Sequence, residues 1–473
     1  MIPDTRPGAR LHLLGICGSA MASLAGLLQS QGYHVTGSDQ NVYPPMSDVL
    51  AKLGIEVRSP YSPKNLPDDA SLVVVGNALS RGNPELESVL ERGFPCVSMP
   101  EVLKEVFLRT RKPIVVAGTH GKTTTSSLIA WILESSGRAP GFLVGGIPLN
   151  FDASFRSGAG EDFVVEGDEY DTAYFDKGPK FLHYLPRVAV LSNVEFDHAD
   201  IYRDVADVER AFRLFVNLVP RNGLLVLGRE SERAAAIGRG APCAVETFAV
   251  GGEADWIGEL DGSDENGSYL LVNHRGKRFL EAHAAVWGNA SLRNVLASVA
   301  VSRFVGCTAP EIATALSRFR GVKRRMEVRG RVRGVTVVDD FAHHPTAIYE
   351  TLAAARARWP RHRLWGVFEP RSFTARSRVF QRELAEALST ADEVILGEVL
   401  RTSRLSPEDE LSEERLVEDL NRSGTGASFL PSVDDIVARL VREAREGDVV
   451  MVMSNGSFGG LHEKLLVALE AKP

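Results

Sequence analysis

The residues Gly118-Thr119-His120-Gly121-Lys122-Thr123-Thr124-Thr125 have the types and spacing to hold phosphate. An apolar run at 113–117 enters the segment and reads as a buried strand. A helical pattern at 126–133 leaves it. Strand, glycine loop, Lys-Thr and helix make up a nucleotide phosphate loop. Gly118 and Gly121 let backbone N–H groups close around phosphate oxygens, and the helix N-terminus adds positive potential. Lys122 reaches toward the β- and γ-phosphates, and the Thr123 hydroxyl suits Mg²⁺. One departure counts against this: the fuller pattern G-x-x-x-x-G-K-[ST] has glycine where this chain has Val116. The competing reading is a surface turn ahead of a helix.

Two acidic clusters follow apolar runs. Glu166-Gly-Asp168-Glu169-Tyr-Asp171 is one, and Glu195-Phe-Asp197-His198-Ala-Asp200 is the other. Strand ends of a parallel sheet line the crevice where ligands bind, and Mg²⁺ takes carboxylate oxygens. Beside a phosphate loop the two clusters read as an ATP–Mg²⁺ site. Gly15-Ile-Cys17-Gly18-Ser19-Ala20-Met21 is a second glycine turn after a strand. Its G-x-x-G spacing is weaker than G-x-G-x-x-G, and a tight turn packed on the sheet is the alternative. Asp39, after the second strand pattern, suits a ribose contact. Asp339-Asp340-Phe-Ala-His343-His344 follows another strand and is a further candidate site, with either histidine a candidate base. Basic residues crowd 318–333: Arg318, Arg320, Lys323, Arg324, Arg325, Arg329, Arg331 and Arg333. No aromatic residue interleaves from Lys323 to Arg333, so a solvated linker with one or two phosphate-contacting arginines is favoured over a nucleic-acid patch.

The elements that must position these residues alternate strand and helix along all 473 residues. Apolar runs at 11–14, 33–36, 72–75 and 95–98 form a first block. A second holds 113–117, 163–166, 188–193 and 224–227, a hairpin at 269–279, and helical patterns at 290–304 and 310–319. A third holds 335–338, 364–368, 393–396 and 449–453, with residues 330–334 as the junction before it. Such alternation predicts an α/β chain with parallel sheets. The net charge of −7 argues against nucleic acid as the main partner. No apolar run is long enough to span a bilayer. The N-terminus has no apolar signal region, and four scattered cysteines fit a reducing cytoplasm.

Taken in order, these residues resemble the Mur ligase family of peptidoglycan enzymes, across essentially the whole chain. The family-wide motifs are 117–124, 166–171, 193–198 and 340–345. Segments 76–78, 81–84, 168–176, 195–200, 368–372 and 453–460 are similar to its peptide-recycling branch. The resemblance implies three domains: a Rossmann-like UDP-sugar domain at 1–110, a central P-loop ATPase at 111–327, and a Rossmann-like peptide-binding domain at 328–473. It implies ATP and Mg²⁺ as cofactors, with UDP-N-acetylmuramate and a murein tripeptide as substrates. No nucleic acid or membrane partner is expected.

By motif position, Lys122, Glu166 and His198 are catalytic, and Thr123, Glu166 and His198 hold metal. ATP contacts fall to Gly118, Thr119, His120, Gly121, Lys122, Thr123, Thr124, Asn294, Arg325 and Asp340. UDP-sugar contacts fall to Gly15, Cys17, Gly18, Ser19, Ala20, Met21, Asp39 and Asn77. Peptide contacts fall to Arg371, Ser454 and Asn455. Three departures stand: Ala290 and Ser291 replace His and Asn near the adenine, Arg213 sits where some relatives carry a carbamylated lysine, and Phe373-Thr374 resembles the L-alanine-adding branch as much. The implied reaction joins the tripeptide to UDP-N-acetylmuramate through an acyl phosphate, with L-alanine the alternative acceptor. A nicotinamide dehydrogenase leaves the phosphate loop without a role; an ATP-regulated sensor of a cell-wall precursor is the non-enzyme rival.

Overall fold

The computed structural model describes residues 6–43, 46–197, 201–399, 406 and 408–471. His198 and Asp200 lie outside them. The architecture is α/β, built on three sheets with helices between strands. The first sheet holds β1 (Arg10–Leu14), β2 (His34–Ser38), β3 (Val57–Arg58), β4 (Leu72–Val75) and β5 (Cys96–Ser98). All pairs are parallel, in the order 3-2-1-4-5 of a Rossmann-like sheet. Uninterrupted apolar runs such as Leu72–Val75 form these strands because both faces are covered.

The central sheet has ten strands. Its parallel core is β6 (Lys112–Ala117), β9 (Asp162–Gly167), β12 (Val188–Leu191), β13 (Leu224–Gly228) and β14 (Ala244–Ala249). β7 (Gly141–Leu143) and β8 (Phe155–Arg156) complete one edge. β15 (Trp256–Ser263), β16 (Ser268–His274) and β17 (Lys277–Ala284) form an antiparallel meander at the other. A separate ribbon, β10 (Asp171–Ala173) and β11 (Asp176–Pro179), follows β9. The third sheet runs β18 (Glu327–Val332), β19 (Val335–Asp340), β23 (Val449–Met453), β20 (Leu364–Phe368), β21 (Glu393–Leu396), β22 (Gly426–Phe429). Only β18 is antiparallel there. No helix among the described residues is long and apolar enough to cross a membrane.

Residues 330–334, expected as a junction, instead close the β18–β19 hairpin. Val332 pairs with Val335 across Arg333 and Gly334, both at positive φ, as a two-residue turn of the I′ kind requires. The basic run is likewise no solvated linker. Lys323 pairs with Asp152 and Arg329 with Glu463, while Arg324 donates to the carbonyls of Ser454 and Gly456 at 2.6 and 2.7 Å. The positive charges tie the segments flanking the second and third sheets together.

The first and second sheets also touch. Gly26, inside the helix Ser19–Ser30, faces the ring of Phe155; a Cβ at 26 would stand 2.1 Å from it. Ser23 and Ser154 share a hydrogen bond of 2.8 Å beside it. Gly26→Ala gains roughly 1 kcal/mol of helix propensity but overpacks the ring by about 1–3 kcal/mol. The substitution is therefore expected to lower the first urea-unfolding midpoint. In a Phe155→Ala background it is expected to raise that midpoint. Identical shifts in both backgrounds would show that the ring does not rest on Gly26.

Candidate active site

The phosphate loop leaves β6 and ends in the helix Lys122–Ser135. Gly118 sits at φ +133°, and a Cβ there would stand 2.2 Å from Ser192 Oγ. Gly121 caps the helix at φ +83°, and its Cβ would stand 2.4 Å from Asn294 Oδ1. Both glycines are required by space and by backbone sign. Val116, where the fuller pattern has glycine, is a buried residue of β6 and makes no part of the turn. The segment after β12 sews the loop down. Asn193 accepts from the Thr119 N–H at 3.1 Å and, through Oδ1, from the His120 N–H at 2.8 Å. The Glu195 N–H donates to Thr119 Oγ1 at 2.9 Å.

Lys122 donates to the Gly118 carbonyl at 2.7 Å and to Glu169 at 2.8 and 3.0 Å. Burial pulls its pKa down, but Glu169, Asp168 and Glu166 outweigh this and keep the ammonium charged. Thr123 Oγ1 donates to Glu166 Oε2 at 3.2 Å, and the Gly145 N–H donates to Oε1 at 2.6 Å. Burial, then the charge of Asp168, pushes the Glu166 carboxyl up to about 7. A cation here would relieve both, and a hydroxyl beside a carboxylate is the oxygen donor set Mg²⁺ takes. The residues fit.

From the loop a cleft of about 390 Å³ extends between the second and third sheets. His120, Gly121, Thr123, Thr124, Asn294, Arg325 and Asp340 all line it, so seven expected nucleotide residues converge. Ala290 and Ser291 line it too. Asn294 Oδ1 accepts from Thr125 Oγ1 at 3.1 Å, so this side chain also braces the helix behind the loop. Phe248, Val286, Trp287 and Phe319 supply apolar wall, with the Arg358 guanidinium 3.9 Å above the Trp287 ring. The sequence reading missed this wall; an aromatic just before the helix Gly288–Phe304 was its only signal. Asp340, pushed up by burial, accepts from the Met326 and Ala342 N–H groups at 2.8 Å each.

The third sheet reaches into the phosphate loop through Glu195, a link the sequence did not reveal. Thr346 Oγ1 donates to Glu195 Oε2 at 2.7 Å, His120 Nε2 lies 3.3 Å from the same oxygen, and His344 Nδ1 lies 3.7 Å away. Burial opposes ionisation of Glu195, yet His120 holds its carboxyl at about 2. Burial and His120 push His344 down to about 4. Its Nδ1 accepts from the Thr346 N–H at 3.3 Å, which leaves the proton of the neutral ring on Nε2. His343 is the reverse: Nδ1 donates to the Phe341 carbonyl at 3.0 Å, so Nε2 carries the free lone pair. A second link runs from Thr374 Oγ1 to Asp197 Oδ1 at 2.5 Å.

At the first sheet, the ends of β1 and β4 are adjacent, with Gly15 (φ +80°) against Gly76 and exposed Asn77 next along. Asp39 accepts from the Cys17 N–H at 2.9 Å and the Asn41 N–H at 3.0 Å. Oδ2 thus braces the glycine turn, while Oδ1 holds the segment after β2. Burial and Asp39 push the Cys17 thiol up to about 11, which makes it unreactive. Gly18, Ser19, Ala20 and Met21 begin the helix behind the turn.

Residues 10–111 match the Mur ligase family catalytic domain, 116–302 the Mur ligase middle domain, and 324–456 the Mur ligase glutamate ligase domain. A UDP-N-acetylmuramate–L-alanyl-γ-D-glutamyl-meso-2,6-diaminoheptandioate ligase of Escherichia coli K12 is 42% identical, covering 98% of this chain and 99% of that one. The chain belongs to the Mur ligase family. A UDP-N-acetylmuramate–L-alanine ligase of Caldanaerobacter subterraneus is 32% identical, covering 98% of both. The crystal structure of a murein peptide ligase from Psychrobacter arcticus 273-4 superposes with a TM-score of 0.73 at 36% identity, covering 98% of this chain and 99% of that one.

Within this Mur ligase, Arg213 pairs with Glu209 along the helix Val205–Val216 and is half exposed. Cation binding at Glu166 is expected to release protons. Because the carboxyl titrates near 7 without metal, it is largely protonated at pH 6.5 and must ionise to bind. Calorimetry of Mg²⁺–nucleotide binding at pH 6.5, in buffers of different ionisation enthalpy, should show roughly 0.5–1 proton released per site. Glu166→Gln should abolish that release. Buffer-independent heats in the intact protein would show that Glu166 does not take up the cation.

Proposed function

We propose that the chain is an ATP-dependent ligase that joins L-alanyl-γ-D-glutamyl-meso-diaminopimelate to UDP-N-acetylmuramate in peptidoglycan recycling. The observation that carries this reading is the 42% identity, over nearly the whole of both chains, to the E. coli enzyme of that name. The 32% identity to an L-alanine ligase keeps L-alanine as the second reading. The segments matched at 10–111, 116–302 and 324–456 support a three-domain chain divided near 110 and 327. The use of nucleotide substrates supports a cytoplasmic location.

A carboxylate is a poor acyl donor. Transfer of the γ-phosphoryl of ATP to the lactyl carboxylate of UDP-N-acetylmuramate turns one oxygen into a leaving group. Lys122 moves from Glu169 to the phosphates and offsets charge developing on the phosphoryl. Thr123 and Glu166 would hold Mg²⁺, with His198 joining them by motif position, and the ion would supply neutralisation of phosphate charge. Arg325, just before β18, and Asp340, at the end of β19, line the cleft, so a nucleotide bound there meets both the loop and the third sheet. The alanyl amine then attacks the acyl carbon and expels phosphate. Its proton passes to a base, for which the free Nε2 of His343 is suited. Gly15, Cys17, Gly18, Ser19, Ala20, Met21, Asp39 and Asn77 hold the UDP-sugar at the β1–β4 crevice.

Phosphate release should depend on both UDP-N-acetylmuramate and tripeptide, with L-alanine the poorer acceptor. Faster turnover with L-alanine would leave the second reading. Lys122→Ala should lower kcat by on the order of 10²–10⁴ with the fold retained; near-normal turnover would remove the phosphate-loop assignment. Arg371→Ala should raise the peptide KM roughly 10–30-fold and leave the ATP KM unchanged. The lower end of charged-contact values applies because its side chain is 41% exposed. Equal changes in both KM values would make Arg371 structural.

A further inference from the structure

The carboxyl ends of β12, β6 and β9 carry the phosphate loop and the acidic groups; their amino ends border a separate cavity of about 190 Å³. Lys112 opens β6 and is in register with Asp162, which opens β9; Val188 opens β12 beside Ile114. The six residues of β6, at about 3.3 Å each, put roughly 17–20 Å between this cavity and the phosphate loop. At roughly 30 Å³ per water, the space holds about six waters. It suits a small organic molecule and is too small for a nucleotide or a tripeptide.

Charges of both signs and an apolar wall line it. Arg138 follows the helix Lys122–Ser135, held where its N–H donates to the Leu133 carbonyl at 2.9 Å, and its Nε donates to Asp162 Oδ2 at 3.1 Å. Asp162 is 1% exposed, and its other oxygen, Oδ1, is buried with no hydrogen-bond partner among the described residues. A buried carboxylate oxygen without a donor is costly, and a charged donor brought by a ligand removes that cost. Lys112 is turned to Glu161. Arg187 donates from one nitrogen to Asn222, which leaves the rest of its fork for an anion. Arg187 and Asp162 stand on either side of β6, roughly 10 Å apart at the backbone, a span that two side chains and a small zwitterion fill. Ile114, Val188 and the exposed Phe304 supply carbon. Arg138 and Phe304 also mark the far ends of the two helices that meet at the phosphate loop, Lys122–Ser135 and Gly288–Phe304, the second carrying Asn294 against Gly121.

We propose that this cavity is a binding site for a free apolar α-amino acid of about the size of valine, apart from the catalytic cleft. The ammonium donates to Asp162 Oδ1, the carboxylate accepts from Arg187, and the side chain rests on Ile114, Val188 and Phe304. The plainer reading is that Asp162 serves only to anchor Arg138 behind its helix. Removing the amine from the ligand separates the two.

Calorimetry on the full chain compares L-valine with 3-methylbutanoate, which lacks the amine, and 2-methylpropylamine, which lacks the carboxylate. L-valine is expected to bind about tenfold or more tighter than either, because each analogue gives up a charged hydrogen bond. Arg187→Gln should weaken L-valine and 3-methylbutanoate by a similar factor of roughly 10 and leave 2-methylpropylamine within about twofold. Asp162→Asn should bring L-valine to within about threefold of 3-methylbutanoate. If Asp162→Asn does not fold, the three ligands on the unsubstituted protein and on Arg187→Gln decide the matter. No preference for L-valine over 3-methylbutanoate would make Asp162 an anchor for Arg138 alone and overturn the proposal. Unchanged L-valine affinity in Arg187→Gln would place the binding elsewhere, the acceptor site included, and overturn it as well. So would the lack of any saturable heat with L-valine.

Discussion

Gly118 has no room for a side chain, and much of the rest depends on that. Because the backbone at 118 can press against Ser192, the phosphate loop lies directly on the segment leaving β12. Asn193 then reaches the loop N–H groups, and Thr119 meets Glu195. Glu195 and Asp197, on the same short segment, extend to Thr346 and Thr374, in the helices that follow β19 and β20. One steric permission therefore fixes the loop and brings two sheets to bear on one cleft. A methyl at 118 would act on all of these contacts together.

Electrostatics gives the cleft its purpose. Glu166, Asp168 and Glu169 gather at the end of β9, and Lys122 answers them with a single positive charge. Burial and mutual repulsion leave Glu166 partly protonated near neutral pH. Such an excess of buried negative charge is unfavourable by itself and favourable once a divalent cation and the phosphates it carries arrive.

The three sheets share one address for chemistry, the carboxyl ends of parallel strands. β1 and β4 carry the glycine turn, β6, β9 and β12 the glycine loop and the acidic groups, and β19 ends at Asp340 on the cleft.

The sequence by itself determined what local rules control. The phosphate loop was legible because glycine sign, helix capping and lysine placement are all decided within eight residues. Leu72–Val75, Leu364–Phe368, Glu393–Leu396 and Val449–Met453 were legible because buried parallel strands are short unbroken apolar runs. The motif order carried the family. Tertiary structure decided the rest. Arg275-Gly276 and Arg333-Gly334 make the same positive-φ turn, yet only the first read as a hairpin. At the second, the alternation of β18 is broken by Gly330 and its charges read as a linker. Those charges found partners as far away as Asp152 and Ser454. That Asp39 also accepts from the Cys17 N–H, tying the end of β2 to the glycine turn, had no local signal. The proton positions on His343 and His344, the Trp287 wall, and the bonds from Glu195 and Asp197 to the third sheet had no local signal. They join residues more than 150 positions apart or depend on which backbone group a ring meets, and only the docking of whole sheets sets such meetings.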